Sequence, residues 1–250
     1  QKIQSTANGE NAMIYPNVDW YQTLFKQSTT NTKANVNISG GGKVATYYVS
    51  GGADKETGLL RVDNKNNFNN NINIGRYFIR SNVVFKLTNT TRLDTRIQGR
   101  FERYNGPYES ASNIFRMIMN SNPVDFPAYY QPDAANEFTD HILFGNSYVA
   151  GSLKPNPYAS MVRGYEDRNE SSISAQATLT QDLDALLKGL KIQGKASVNT
   201  WSKYASRRTY LPYFYDLESY NQITEEYKLF ALNPTTGQPY LGDVIPIRDA

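Results

Sequence analysis

The sequence predicts an all-β fold, namely a segment of a large antiparallel transmembrane β-barrel with about six strands, short periplasmic turns and long extracellular loops that carry short helices. Three observations lead to this prediction. Six segments alternate polar and apolar residues with a period of two, short and long links alternate between these segments, and aromatic residues cluster near the segment ends. Together they are typical of strands that cross a membrane with one face towards lipid and the other towards water.

The clearest alternation lies near the middle of the chain, in TRLDTRIQGRFERY at residues 91–104. Successive side chains of a strand point to opposite faces, so the odd positions share one face and the even positions share the other. The odd face is mostly apolar, with Leu93, Ile97 and Phe101. The even face is expected to line the aqueous lumen of a barrel, and it comprises Arg92, Asp94, Arg96, Gln98, Arg100 and Glu102.

The same period recurs in five further segments, at residues 33–39, 44–51, 78–88, 171–183 and 191–201. We therefore expect six strands. A strand of about 10 residues that rises about 3.3 Å per residue and tilts by about 45° crosses roughly 23 Å, close to the height of the apolar band of such barrels.

The links between these segments differ sharply in length. Three are short and turn-like: GGGK at 40–43, TNTT at 88–91 and DALLKG at 184–189. The long gaps are 53–76, 105–170 and the stretch from 204 onward. Since short and long links alternate, antiparallel strands place every tight turn at one end of the sheet and every long loop at the other, as in outer-membrane barrels.

A soluble β-sandwich, such as a carbohydrate-binding module, is the alternative that alternation by itself leaves open. In a sandwich, the apolar face of the sheet would be buried in the core and the charged face would be exposed to solvent. Two features favour the barrel. The apolar faces are rich in Ala, Gly and Thr, which fill a core poorly, and the long loops recur on one side only.

Local order is also expected in the long loops. NVDWYQTLF is predicted to form a short helix capped by Asn17 or Asp19, and SASNIFRMIMNSNP a second helix with Ile114, Phe115 and Ile118 on one face. The asparagine-rich stretch at 63–73 is interpreted as hydrated turns.

Composition gives little support for catalysis or for nucleic-acid binding. The chain has one histidine, no cysteine and a formal net charge of +3. No catalytic, cofactor-binding or metal-binding residue is predicted, and no apolar run approaches the roughly 18 residues of a membrane-spanning helix. We interpret the carboxylates of 91–104 as partners of neighbouring arginines within a lumen.

Several stretches resemble the SusC/RagA family of TonB-linked outer-membrane proteins. They are YPNVDWYQTLF, NVNISGGGKVATYYVSGG, YFIRSNVVFKLTNTTRLD, IFRMIMNSNPVDFPAYY, NPYASMVRGY and LLKGLKIQGKAS, in this order. The resemblance covers most of the chain. It implies part of one barrel domain: a loop with a short helix at 1–32, six strands with their loops at 33–203, and a further loop at 204–250.

The same resemblance implies a larger assembly in the bacterial outer membrane. Family members have a plug inside a barrel of about 22 strands, and these 250 residues lack the plug and the remaining strands. The implied function is import of glycan or peptide oligomers without covalent chemistry. The implied partners are a SusD-like lipoprotein, TonB acting through the plug, the oligosaccharide or peptide substrate, and outer-membrane lipid.

Four loop tyrosines are candidates for contact with the substrate or the lipoprotein: Tyr129, Tyr130, Tyr158 and Tyr165. Aromatic rings stack on sugars and pack at protein interfaces. Packing within the loops is the other interpretation of each of them.

Overall fold

The computed structural model describes residues 2–62, 65 and 68–241. Within them it contains four helices, α1 Lys2–Ala7, α2 Trp20–Leu24, α3 Ala111–Asn120 and α4 Pro157–Val162. The strands of the same residues are β1 Thr32–Gly41, β2 Ala45–Thr57, β3 Asn73–Lys86, β4 Thr91–Pro107, β5 Tyr129–Tyr130, β6 Leu143–Gly145, β7 Tyr148–Val149, β8 Ser152–Leu153, β9 Gly164–Asp182, β10 Lys191–Thr209, β11 Phe214–Tyr220 and β12 Tyr227–Ala231.

The six predicted strands form one antiparallel sheet in the order β1-β2-β3-β4-β9-β10. The tight links at 42–44, 87–90 and 183–190 lie at one end of this sheet, and the long connections lie at the other. Both the strand number and the separation of turns from loops are therefore confirmed for the described residues.

Several strands run further towards the loop end than predicted. β9 begins at Gly164 instead of residue 171, and β10 continues past the predicted boundary at 203 to Thr209. The register pairs these two ends with each other. The extension of β9 covers GYEDRNE, and it could not be predicted because these mostly polar residues do not alternate between polar and apolar.

Strand register divides the sheet into two chemically different faces. Leu93 lies opposite Phe85 on β3 and Leu179 on β9, and Ile97 lies opposite Ala175. All five are on one side, which we call the apolar face. Arg96 lies opposite Asn82 and Gln176 on the other side, which we call the polar face.

The apolar face has no covering layer that buries it. Ile97 is 50% exposed and Leu179 is 46% exposed. Leu93 and Val83 are half-buried. A soluble β-sandwich would bury these side chains beneath a second sheet, so the burial pattern is against that alternative.

The main hydrophobic core lies in the loops instead of the sheet. None of its buried members belongs to a strand of the six-stranded sheet; they are Trp20, Leu24, Leu60, Ile114, Ile118, Phe126, Ala128, Phe144, Tyr158, Ala159, Met161, Val162, Phe214 and Leu232. A small sheet in the order β12-β11-β6-β5 crosses the same region. The long loops thus fold into a compact unit, which we call the loop domain.

Asn156 joins three segments of the loop domain. Its side chain caps α4 by accepting a hydrogen bond of 3.0 Å from the backbone N–H of Ala159. It also donates to the carbonyl oxygens of Ala128, at 3.0 Å, and Gly145, at 2.8 Å. Because Asn156 is 2% exposed, these bonds satisfy polar groups that would otherwise be costly to bury.

Both predicted loop helices are present. α2 is capped by Asp19, whose carboxylate accepts from the backbone N–H of Gln22 at 2.9 Å. In α3, Ile114 and Ile118, which were predicted to share one face with Phe115, are both buried. Phe115 is different: it is 47% exposed, and its ring lies 6.4 Å from that of Phe25 at the edge of the core.

The asparagine-rich stretch is only partly described, since residues 63, 64, 66 and 67 lie outside the described residues. Hydrated turns were the wrong interpretation for Asn70 and Asn71, which are 0% and 2% exposed. Asn70 donates from Nδ2 to the Arg61 carbonyl oxygen at 2.9 Å, and Asn71 donates to that of Gly58 at 3.0 Å. Their amides replace water as partners of the buried loop backbone.

We predict that Phe144→Ala loosens the loop domain and leaves the sheet intact. Phe144 is 1% exposed and packs against Tyr158 and Phe214. Removing a buried phenyl ring costs about 3–5 kcal/mol. Hydrogen exchange should therefore accelerate across 108–163 and remain slow in β3 and β4.

Phe138→Ala is the matched control, because Phe138 is 91% exposed. It should leave exchange in the loops unchanged. Equal exchange in both variants would show that the loop core does not stabilise this region.

Candidate functional site

The polar face carries all six residues predicted to line a lumen. Arg92, Asp94, Arg96, Gln98, Arg100 and Glu102 share it, and their register neighbours on β3 and β9 are mostly polar too. Their common side is thus established by the structure, whereas their contact with an aqueous lumen stays a prediction.

A continuous network of ion pairs crosses the polar face near the loop end of the sheet. We call it the ion-pair belt, and it comprises Glu56, Arg76, Arg100, Glu102, Glu166, Arg168, Glu170, Lys203 and Arg207. The shortest contacts join Arg76 to Glu56 at 2.8 Å and Arg207 to Glu166 at 2.8 Å. The belt therefore links five adjacent strands, from β2 to β10.

Glu102 is the central carboxylate of the belt. Its Oε2 lies 2.9 Å from Arg76 Nε and 3.8 Å from Arg100 Nη2, and its Oε1 lies 3.6 Å from Arg168 Nη2. The predicted pairing of strand carboxylates with arginines is confirmed here and between Arg92 and Asp94, at 3.0 Å. The main partners of Glu102 were not predicted, because they come from strands whose register the sequence does not show.

The turn-end half of the polar face is basic. Within the described part of the chain, no ion pair is formed by Arg80, Lys86, Arg96 or Lys195. Arg80 and Arg96 line a shallow depression together with Asn82 and Asp94. This half of the face can attract carboxylates and other anions, whereas the four carboxylates of the belt compensate most of the charge of its five cations.

Three of the four candidate tyrosines are buried. Tyr130 and Tyr158 lie in the loop domain, whereas Tyr165 lies on β9 and not in a loop. Tyr130, Tyr158 and Tyr165 are each at most 5% exposed. Tyr158 packs against Tyr129 at 5.5 Å between ring centroids, and Tyr165 packs against Phe68 at 5.2 Å.

Tyr129 is half-buried and has Lys65 Nζ 3.4 Å from its ring centroid. The structure thus assigns packing contacts to all four tyrosines. Their contact with a substrate or a partner stays a prediction.

The single histidine lies in an aromatic cluster of the loop domain. His141 Nε2 is 2.8 Å from the Tyr215 hydroxyl, and the ring lies 5.0 Å from that of Tyr213. Desolvation lowers the pKa of His141, and the nearby Asp140 carboxylate partly offsets this effect. The neutral imidazole is the form that fits this packing.

The described ranges contain no cluster of three or more histidine, aspartate or glutamate side chains that could hold a metal ion. Among the same residues, no helix is both long enough and apolar enough to cross a membrane.

Comparisons with known proteins are informative at the level of structure. No family model matches the sequence, and no curated protein matches it. The structure is similar to that of the RagAB peptide transporter, with a TM-score of 0.52 and 16% identity over 79% of this chain and 20% of that chain. It is also similar to the RagAB peptide importer in the closed-closed state, with a TM-score of 0.52 and 18% identity over 78% of this chain and 20% of that chain.

This chain therefore spans about a fifth of the length of the transporter chains that it resembles. At such identities the likeness concerns the fold. It confirms the predicted class, an all-β antiparallel sheet that corresponds to a segment of a larger barrel.

Acidification is predicted to loosen the loop domain through His141. Its folded-state pKa is lowered, so the unfolded state binds a proton first as the pH falls below about 6.5. The stability that depends on neutral His141 is present above that pH and is lost as the pH falls towards the folded-state pKa. Protection factors of the amides around β6 and β11, which are exchange rates corrected for the intrinsic pH dependence of amide exchange, should fall in the wild type as the pH drops below about 6.5.

His141→Asn is the control, since it lacks a group that titrates in this range. It should remove most of the pH dependence. An unchanged pH profile in the variant would exclude His141 as the source.

Proposed function

We propose that these residues form part of the wall and outer loops of a TonB-dependent importer of the SusC/RagA type in the bacterial outer membrane. The cargo class that the structural likeness supports is peptides, and glycan oligomers are the second class implied by the sequence resemblance. In this proposal the apolar face meets lipid, the polar face meets the aqueous interior, and the loop domain lies outside the cell.

The observation that carries this proposal is the exposed apolar face of a single-layered sheet. It runs from Phe101 to Leu93 on β4, roughly 26 Å at about 3.3 Å per residue. A tilt of about 40° reduces this to roughly 20 Å, close to the apolar band of about 25 Å in outer-membrane barrels.

Aromatic side chains border the band as interfacial girdles do. Tyr77 and Phe101 are directly opposed on its loop side, and Tyr47 and Phe85 lie on its turn side. Other strand aromatics near the same levels, such as Trp201, lie on the polar face. They would therefore face the interior.

The unpaired outer edges of β1 and β10, the two outer strands of the sheet, support the proposal that the sheet is part of a closed barrel. In the described residues, β1 pairs only with β2 and β10 pairs only with β9. Unpaired backbone groups in hydrocarbon cost several kcal/mol each. We propose that strands outside these 250 residues complete the pairing, and that a plug occupies the interior.

The proposal also includes two protein partners. A SusD-like lipoprotein would cover the loop domain, whose well-packed core gives it a fixed surface to bind. TonB would supply energy through the plug. The RagAB structures, which are those of a peptide transporter, support such an arrangement by their fold likeness to this chain.

A charge on the apolar face should block assembly, whereas loss of a charge from the polar face should not. Ile97→Arg places a guanidinium near mid-depth in lipid, which costs about 2–4 kcal/mol. Arg96→Ala removes a side chain that has no ion pair in the described residues. The measurement is the amount of heat-modifiable, folded protein in purified outer membranes.

We expect a strong loss for Ile97→Arg and near wild-type amounts for Arg96→Ala. Equal effects of the two substitutions would contradict the membrane assignment. Wild-type protein that is monomeric in buffer without detergent would favour the β-sandwich alternative instead.

A further inference from the structure

Two basic side chains lie just beyond the aromatic border of the apolar face at its loop end. Lys55 on β2 and Arg103 on β4 both lie opposite Gly75 on β3, so all three share this face. Arg103 follows Phe101 by two positions, which places it directly above that ring on the same side. Both cations are exposed. No ion pair is recorded for either within the described ranges.

Gly75 has no side chain of its own between these two cations, and the Tyr77 ring lies over it instead. The atoms nearest to a Cβ at this position would be those of the Tyr77 ring and its hydroxyl, at 3.7 Å, which is ordinary van der Waals contact. The position is therefore bordered by an ammonium group, a guanidinium group and a phenol. We call it the rim notch, formed by Lys55, Gly75, Tyr77 and Arg103.

The charge around the rim notch is positive on balance, because two cations lie near one carboxylate. That carboxylate, Asp167, is on the same face and accepts a hydrogen bond of 2.6 Å from Asn105 Nδ2. It forms no ion pair with Lys55 or Arg103 in the described residues, so both cations can bind an anion from outside. Guanidinium and ammonium groups recognise phosphate, and a phenol hydroxyl can donate to it.

We propose that the rim notch binds the phosphate of an anionic lipid whose acyl chains lie along the apolar face. This inference rests on the proposed function, because it requires lipid against that face. Continuity between the notch and the apolar band favours a lipid over a free phosphate ion: a ligand held by Lys55 and Arg103 has the rings of Tyr77 and Phe101 directly beneath it. The notch would therefore fix the depth of the barrel in the outer leaflet.

The test titrates the intact polypeptide in detergent with bisphosphorylated lipid A and counts bound lipid by native mass spectrometry. The variant is Lys55→Gln with Arg103→Gln. Its matched control is Lys33→Gln with Lys195→Gln, which removes the same charge from exposed positions on the polar face. Parallel titrations use enzymatically dephosphorylated lipid A, and inorganic phosphate as a competitor.

We expect the rim-notch variant to bind lipid A about 10- to 30-fold more weakly than the wild type, as loss of two interfacial cations implies. The control should bind like the wild type, and dephosphorylated lipid A should bind the wild type as weakly as lipid A binds the variant. An excess of inorganic phosphate should not displace the lipid.

Wild-type affinity in the rim-notch variant would overturn the inference. Displacement of the lipid by inorganic phosphate would overturn it too, because it would assign the notch to the free ion. A separate measurement, insertion of the wild type into phosphatidylcholine bilayers, keeps the two proposals distinguishable. Insertion without a rim-notch effect removes only this inference, whereas failure to insert removes the proposed function as well.

Discussion

The alternation of side chains along a strand forces each strand of a single-layered sheet to meet two environments at once. On β4 the odd positions are apolar and the even positions are charged, and neither side is covered by a second layer. Water can satisfy the even side but penalises an extended apolar surface on the odd side. Hydrocarbon has the opposite preferences. The simplest resolution is one medium on each face, which is the situation in the wall of a membrane barrel.

Other features of the structure follow from that division. Since the apolar face of the sheet is exposed and supplies no core, the loop domain has its own core around Leu24, Ile114 and Phe144. Charges on the polar face lie close together, and the ion-pair belt neutralises them across five strands at the level where the strands enter the loops. Surface ion pairs contribute only about 0.2–1 kcal/mol each. The position of these pairs matters more than their energy. Because the cations of the belt are already paired with carboxylates, the basic turn-end half of the polar face is the part that remains available to anions.

Sequence alone predicted the strands of the sheet, apart from the loop-end extensions of β9 and β10, and two loop helices, but it did not predict how the loops pack. Alternation within 91–104 and the short links predicted six strands and their direction, because both signals are local. The loop core has no local signal: Phe144, Tyr158 and Phe214 are brought together only by the tertiary fold. The belt was missed for the same reason, since the partners of Glu102 depend on register. Asn70 shows why composition alone did not predict burial in the asparagine-rich stretch. A buried asparagine that donates to a backbone carbonyl oxygen cannot be distinguished in the sequence from one that is hydrated.

The most direct measurement of the central claim is the accessibility of adjacent positions on one strand. The 250 residues contain no cysteine. Ile97→Cys and Gln98→Cys, each in the intact polypeptide with any cysteine outside these residues replaced by serine, therefore introduce a unique site for a nitroxide spin label after reconstitution. The account predicts that the label at 97 collides readily with oxygen and poorly with a water-soluble nickel chelate. The label at 98 should show the reverse preference. Equal access of both labels to the nickel chelate, or protection of position 97 from both reagents, would contradict the assignment of lipid to the apolar face.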